Sequence, residues 1–245
     1  MKILVCISHV PDTTAKIAFT PNNKEFISTG VTFIINPYDE IALAKAIELA
    51  EGSGGSVTVV HVGDASTEPT LRKALAIGAN NAVRINAAPR DAYFVASEIA
   101  RHASDQQYDM ILCGRESSDH NGSAVPAMIG ELLGIPSVMF AKKLTLDGIN
   151  ATIEREIEGG KEVVSTPLPF VAGVSEGMAE PRIPNMRGIM SARTKPLAVA
   201  EPVEAPQLTR VVQYEKPEAR STVKMIATED AAKLFEILRQ EKKVI

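Results

Sequence analysis

The chain has 245 residues, 45% hydrophobic and 23% charged, with a net charge of −4. This is the ordinary mix of a soluble globular protein, and the length suits one α/β domain with an appendage or two small domains. No Lys/Arg cluster offers the basic face that nucleic acid needs, and the apolar stretch Met1 to Val10 is too short to span a bilayer and lacks the marks of a signal peptide. The expectation is therefore a cytoplasmic protein with no nucleic-acid partner and no direct membrane insertion.

Lys2 to Ser8 is a continuous apolar run, the pattern of a strand buried on both faces. Lys16 to Ser28 reads as a short hairpin turning at Pro21-Asn22-Asn23. Val31 to Ile35 is a second apolar run. It leads into Asn36-Pro37-Tyr38-Asp39-Glu40, a helix start with a capping Asn, a Pro at the first helical position and two acids at the positive end of the dipole. That helix runs to Gly52. Then Ser56 to Val62 reads as strand, Thr67 to Ile77 as helix stopped by Gly78, Ala82 to Ile85 as strand, and Asp91 to Ala103 as helix. Asp109 to Gly114 is a strand and Ser123 to Leu133 a helix ended by Gly134 and Pro136. The alternation predicts a doubly wound, mostly parallel α/β sheet with helices on both faces.

The pattern changes after Val138. Thr152 to Ile157 and Lys161 to Thr166 flank Glu158-Gly159-Gly160, a predicted β-hairpin insertion, and Pro169 to Val174 is a further strand. Pro196 to Pro206, rich in Pro, Ala and Glu, reads as an extended linker. Thr228 to Lys242 reads as a terminal helix too short to be stable alone. The predicted division is an α/β domain over 1–195 and an extended C-terminal arm over 196–245.

In a doubly wound sheet, ligands bind beyond the carboxyl ends of the strands. Four loops leave such ends: Ser8 to Asp12, Asn36 to Glu40, Gly63 to Ser66, and Gly114 to Gly122. The last is long, polar and bracketed by glycine, and it opens a helix whose free amides suit a phosphate, with the Ser123 hydroxyl as a further donor. The competing reading is a solvated loop with an ordinary cap. Neither the P-loop nor the G-x-G-x-x-G fingerprint is present. Ser117 and Ser118 adjoin Asp119 and His120, but neighbours in sequence do not make a catalytic triad. Four scattered histidines lack metal-ligand spacing. Cys6 and Cys113 both fall in predicted buried strands, which argues against a disulfide scaffold. Around Arg182, Met186 and Arg187 the chain carries Met, Pro and Arg without strand periodicity, either a structural crossover or an adaptable partner-binding loop.

Five segments together resemble the beta subunit of electron transfer flavoproteins over nearly the whole chain: KILVCISHVPD, NPYDEIAL, LRKALAIGAN, ATIEREIEGGKEVVSTPLPFV and EPRIPNMRGIMSARTKP. The family's Lys-Arg pair in the first loop is Ser8-His9 here, and its first-loop aromatic falls on Thr13. The resemblance implies an electron carrier rather than an enzyme. It implies AMP bound at Cys6, Asn36 to Asp39 (Asn36, Pro37, Tyr38 and Asp39), Val62 and along Gly114 to Val125, including Arg115, Asp119, Asn121, Gly122, Ser123 and Ala124. It implies FAD held mainly by an alpha subunit, with Tyr38 near the flavin edge, and a docking loop anchored at Met186 and flanked by Arg182 and Arg187. The partners it implies are that alpha subunit, on which the arm and helix over 196–245 are expected to dock, flavin dehydrogenases such as acyl-CoA dehydrogenases, and a quinone oxidoreductase.

The loop Asp119-His120-Asn121-Gly122-Ser123-Ala124-Val125-Pro126 shares its Asp and Val with electron-bifurcating members that hold a second FAD in this subunit, but has His120 where they have glycine. Two alternatives therefore stand beside the AMP-binding carrier: a bifurcating subunit with a second FAD, and a stand-alone adenine-nucleotide sensor of similar fold.

Overall fold

A computed structural model describes residues 1–218, 223 and 225–244. A nine-stranded sheet runs in the order β11-β5-β4-β1-β6-β10-β7-β8-β9. Its strands are β1 (Lys2–Cys6), β4 (Ser56–Val62), β5 (Asn81–Ile85), β6 (Met110–Gly114), β7 (Ser137–Asp147), β8 (Asn150–Ile157), β9 (Gly160–Pro167), β10 (Phe170–Val174) and β11 (Leu197–Ala200). The pairs from β11 through β7 are parallel, and β7-β8-β9 is antiparallel. The doubly wound, mostly parallel α/β fold is as the alternation predicts.

The buried strands carry apolar residues toward both faces, as they must when helices cover both. In β1, Ile3 and Val5 join the core under α1 (Pro37–Ser53) and α2 (Glu68–Ile77), while Leu4 and Cys6 join the core under α3 (Ala92–Ser104) and α4 (Val125–Leu133). α1 runs one residue past its expected stop and ends at Gly54, whose φ of 65° is the left-handed conformation glycine adopts without cost. Cys6 and Cys113 are free and buried.

From β1 the chain winds outward through β4 and β5, then returns to place β6 on the other side of β1. The order of winding therefore reverses between β1 and β6. At such a switch point the loops leaving the two strands diverge and open a crevice.

Several expectations are corrected. Val31 to Ile35 does not enter the main sheet. Phe33–Ile35 forms β3, which pairs antiparallel with β2 (His9–Pro11) in a separate ribbon. The hairpin over 16–28 is reduced to one bridge, Phe19 to Phe26. The supposed linker contains β11, a parallel edge strand on β5. β7, an 11-residue strand, carries the predicted hairpin β8-β9 on the sheet. The terminal segment is a single helical turn at Thr228–Asp230, α6 (Ala231–Glu236) and one wide turn at Ile237–Glu241, rather than a uniform helix. Residues 219–222, 224 and 245 of the predicted arm lie outside the described residues. Among the described residues, no helix is long and apolar enough to cross a membrane.

Candidate functional site

The crevice at the switch point is a cleft of about 510 Å³. It gathers Cys6 and Cys113 at the ends of the two central strands, Val62 at the end of β4, and Asp39 from α1. The loop after β6 and the start of α4 supply Gly114, Arg115, Asp119, Gly122, Ser123, Ala124 and Val125. Asn36, Pro37, Tyr38 and Asn121 do not line it. A second cavity of about 310 Å³ lies within the excursion between β2 and β3 and contains none of the predicted residues.

Asp39 is the brace of this site. It is 3% exposed, and its carboxylate accepts the Ser8 amide at 2.7 Å and the Gly114 amide at 2.8 Å. Burial pushes its pKa up from 3.8 to about 6, and these two hydrogen bonds oppose the rise. One carboxylate thus fixes the loops leaving β1 and β6 to the first turn of α1. Gly114 is required for that approach, since a Cβ there would lie 2.4 Å from Asp39 Oδ1 and 2.7 Å from Tyr38 Cβ.

Asn36 works from behind the cleft. It stands at the N-cap position of α1, but its side chain does not cap the helix. Its Nδ2 donates to the Glu116 carbonyl at 2.9 Å, and its Oδ1 accepts the Ser118 amide at 3.1 Å. It is fully buried. The loop after β6 is therefore shaped by a side chain 80 positions away in sequence.

The same loop is tied across itself by Glu116, whose carboxylate pairs with Arg115 at 2.9 Å and accepts the Ser123 hydroxyl at 2.9 Å. The Ser123 hydroxyl, expected as a donor toward a ligand, is directed at Glu116 instead. Asn121 and Ser123 both adopt left-handed backbone, φ 48° and 47°, on either side of Gly122. A Cβ at Gly122 would meet nothing within 4 Å. The first-turn amides of α4 lack intrahelical acceptors by helix geometry, and this end of the helix carries partial positive charge. The start of α4 therefore brings partial positive charge and the Val125 amide to the cleft's edge, although Pro126 contributes no N–H, and the space beside Gly122 is open.

Tyr38 faces a different neighbourhood. Its hydroxyl donates to Glu176 at 3.2 Å, and the Arg115 guanidinium lies 5.1 Å from its ring and 5.5 Å from that of Phe140. Arg115 therefore links the cleft to an aromatic pair outside it.

Three parts of the cleft lie outside the individual site residues expected from the sequence. On one side, His9 stacks on Phe33 with ring centroids 4.4 Å apart and shares a 2.8 Å hydrogen bond with Thr70 Oγ1. Beside it His61 is buried, and because the Ile7 carbonyl can only accept, the 2.7 Å contact assigns the proton to His61 Nδ1. Burial lowers the His61 pKa from 6.5 to about 4, so the ring is neutral. At another edge, Pro89, Arg90 and Asp91 precede α3. The third part is a stretch of the C-terminal arm, Thr209 to Val211. Lone histidines and a Pro-rich arm carried no motif from which these placements could be read. Among the described residues no group of three or more His, Cys, Asp or Glu could hold a metal ion.

The expected docking segment lies elsewhere. Met186 begins α5 (Met186–Ala192) and is 73% exposed, next to Ile183 at 91%. Arg182 is held in a bidentate pair with Glu51 at 2.9 Å, while Arg187 is exposed.

An electron transfer flavoprotein domain model matches residues 25–205. Electron transfer flavoprotein beta subunits align over the full chain: that of Bacillus subtilis is 35% identical with all of both chains covered. That of Syntrophomonas wolfei is 33% identical, covering 100% of this chain and 98% of its own. The human subunit is 32% identical over 98% of each. The chain belongs to the electron transfer flavoprotein beta-subunit family. Its work is electron transfer in a flavoprotein system. The cleft of this flavoprotein subunit draws residues from three of the four strand-end loops that the sequence singled out; beside β4 it reaches Val62, and Gly63 to Ser66 do not line it.

Proposed function

We propose that this chain is the beta subunit of a heterodimer, pairing with an alpha subunit that holds most of an FAD, and that its own cleft holds AMP. The observation that carries the nucleotide reading is the Asp39–Gly114–Asn36 brace. It fixes the polar loop after β6 so that the start of α4 faces a cleft at the sheet's switch point. The cleft's volume is within the usual range for a small-molecule site. Backbone amides from Gly122 to Val125 would hold the phosphate, and the strand ends at Cys6 and Val62 would face the nucleoside.

FAD supplies the electron-carrying chemistry when bound. This chain's contribution is the half-buried Tyr38, which contacts Arg115 and Glu176 and does not line the cleft. Such an aromatic presents apolar area to a flavin edge and excludes water there. The exposed Ile183 and Met186 suit a small, transient contact with flavin dehydrogenases such as acyl-CoA dehydrogenases, and a quinone oxidoreductase is the acceptor this reading implies.

The test is acid extraction of the co-purified alpha–beta complex and chromatography of what is released. One FAD and one AMP per complex is the expected result. Two FAD and no AMP would replace this reading with a bifurcating subunit. A stable chain that carries nucleotide without any alpha partner would replace it with a stand-alone sensor.

A further inference from the structure

The arm does not leave the body of the molecule after β11. The Val203 amide donates to both carboxylate oxygens of Glu98, at 3.1 and 3.0 Å, and Glu98 is 2% exposed. The chain then reaches Asp91, whose two oxygens do different jobs. Oδ1 accepts the Phe94 amide at 2.8 Å and caps α3. Oδ2 accepts the Leu208 and Thr209 amides, each at 2.6 Å, and the Thr209 hydroxyl at 3.3 Å.

A second fixed point follows at Tyr214. Its amide donates to the Asn23 carbonyl at 2.8 Å, and its ring stacks on Phe19 with centroids 4.6 Å apart. At the first fixed point Thr209 lines the cleft, and between the two Arg210 and Val211 do. Five residues of extended chain reach at most about 17 Å, enough to cross the opening of a nucleotide-sized site. One fixed point is on the edge that precedes α3, the other on the excursion between β2 and β3. The segment is therefore a wall of the cleft made from the arm and held at both ends.

We infer that residues 208–214 strap the mouth of the cleft and that Asp91 is the latch, so a nucleotide escapes only when Asp91 lets the strap go. This rests on the reading of the cleft as a nucleotide site. Asp91 is a positioning residue here: it acts on the ligand through the strap. The division between its two oxygens makes the latch separable from the cap. Asn caps helices as well as Asp does. Asp91→Asn therefore keeps an acceptor for the Phe94 amide, but turns an NH2 group toward the Leu208 and Thr209 amides, donor against donor. Hydrogen bonds to a charged acceptor are stronger than neutral ones, and losing one to two of them corresponds to roughly 10- to 100-fold in the opening equilibrium.

The experiment uses the alpha–beta complex loaded with labelled AMP and chased with excess unlabelled AMP, in wild type, Asp91→Asn and Tyr214→Ala. The expected result is AMP release at least about tenfold faster in Asp91→Asn and faster in Tyr214→Ala, which loosens the opposite end. The Leu208 and Thr209 amides should exchange hydrogen faster in Asp91→Asn, while the nucleotide-free melting temperature stays near wild type because α3 remains capped. Faster amide exchange with unchanged release would overturn the strap, and unchanged exchange would overturn the latch. If the denatured wild-type complex yields no AMP, the nucleotide reading itself fails; if AMP is present but its release is unaltered, only the strap fails.

Discussion

The carboxylate of Asp39 accepts the backbone amide of Gly114 at 2.8 Å, joining the first turn of α1 to the end of β6. A buried acid in that place must respond to pH. Its pKa is raised by burial to about 6, so the folded chain binds a proton more readily than the unfolded one. The stability this contributes is full below about pH 4 and is lost as pH rises through about 6. His61 works the other way. Its pKa is lowered by burial to about 4, so its contribution is full above 6.5 and is lost as pH falls through about 4. The two slopes oppose one another between about pH 4 and 6. Asp39→Asn should therefore lose stability on acidification more steeply than wild type, and His61→Asn less steeply. Urea midpoints measured across this range check both, and curves parallel to wild type would refute the assignment.

Gly114 has no room for a side chain. A Cβ would stand 2.4 Å from Asp39 Oδ1 and 3.0 Å from Asn36 Nδ2. Gly114→Ala should cost about 1–3 kcal/mol through overpacking. For a domain of this size that lowers the melting temperature by roughly 2–12 °C. A melting curve that matches wild type would mean the α1–β6 junction yields more easily than its geometry implies.

Gly122 is the opposite case. A Cβ there meets no protein atom within 4 Å, so Gly122→Val should fold normally. Under the nucleotide reading, its side chain fills the approach to the start of α4 and AMP is lost from the purified complex. Full AMP content in a normally folded Gly122→Val complex would move the phosphate elsewhere.

Met186 is 73% exposed at the start of α5. An exposed side chain contributes little to folding, so Met186→Ala should leave the melting temperature and FAD content near wild type. A small interface concentrates its energy in few anchors, so reduction by a partner dehydrogenase should slow by about tenfold. Because Arg182 is paired with Glu51, any steering of an acidic partner falls mainly to the exposed Arg187. Arg187→Ala should weaken the salt dependence of the rate more than Arg182→Ala. A lower melting temperature with unchanged transfer in Met186→Ala would make Met186 a packing residue.

The sequence by itself determined the elements whose signals are local. Apolar runs marked β1, β6 and β10, because strands covered on both faces are built mostly from apolar residues. Asn36-Pro37 and Gly134 marked helix ends through backbone preferences that operate within a turn. Four strand-end loops could be named, because ligands of such sheets gather there whatever the sequence.

Tertiary structure alone decided what those loops do. Asn36 has the composition of a cap, yet its amide is engaged by Glu116 and Ser118, more than 75 positions on. β11 looked like linker because an edge strand needs no strong pattern of its own when a neighbour such as β5 supplies half of its hydrogen bonds. Asp91 reads as a helix cap, and it is one; that its second oxygen grips the arm 117 positions later depends on a chain path no local preference encodes. Periodicity and capping act over a few residues, whereas a site is made by contacts between distant segments, and the cost of closing those loops is met only by the packed fold as a whole.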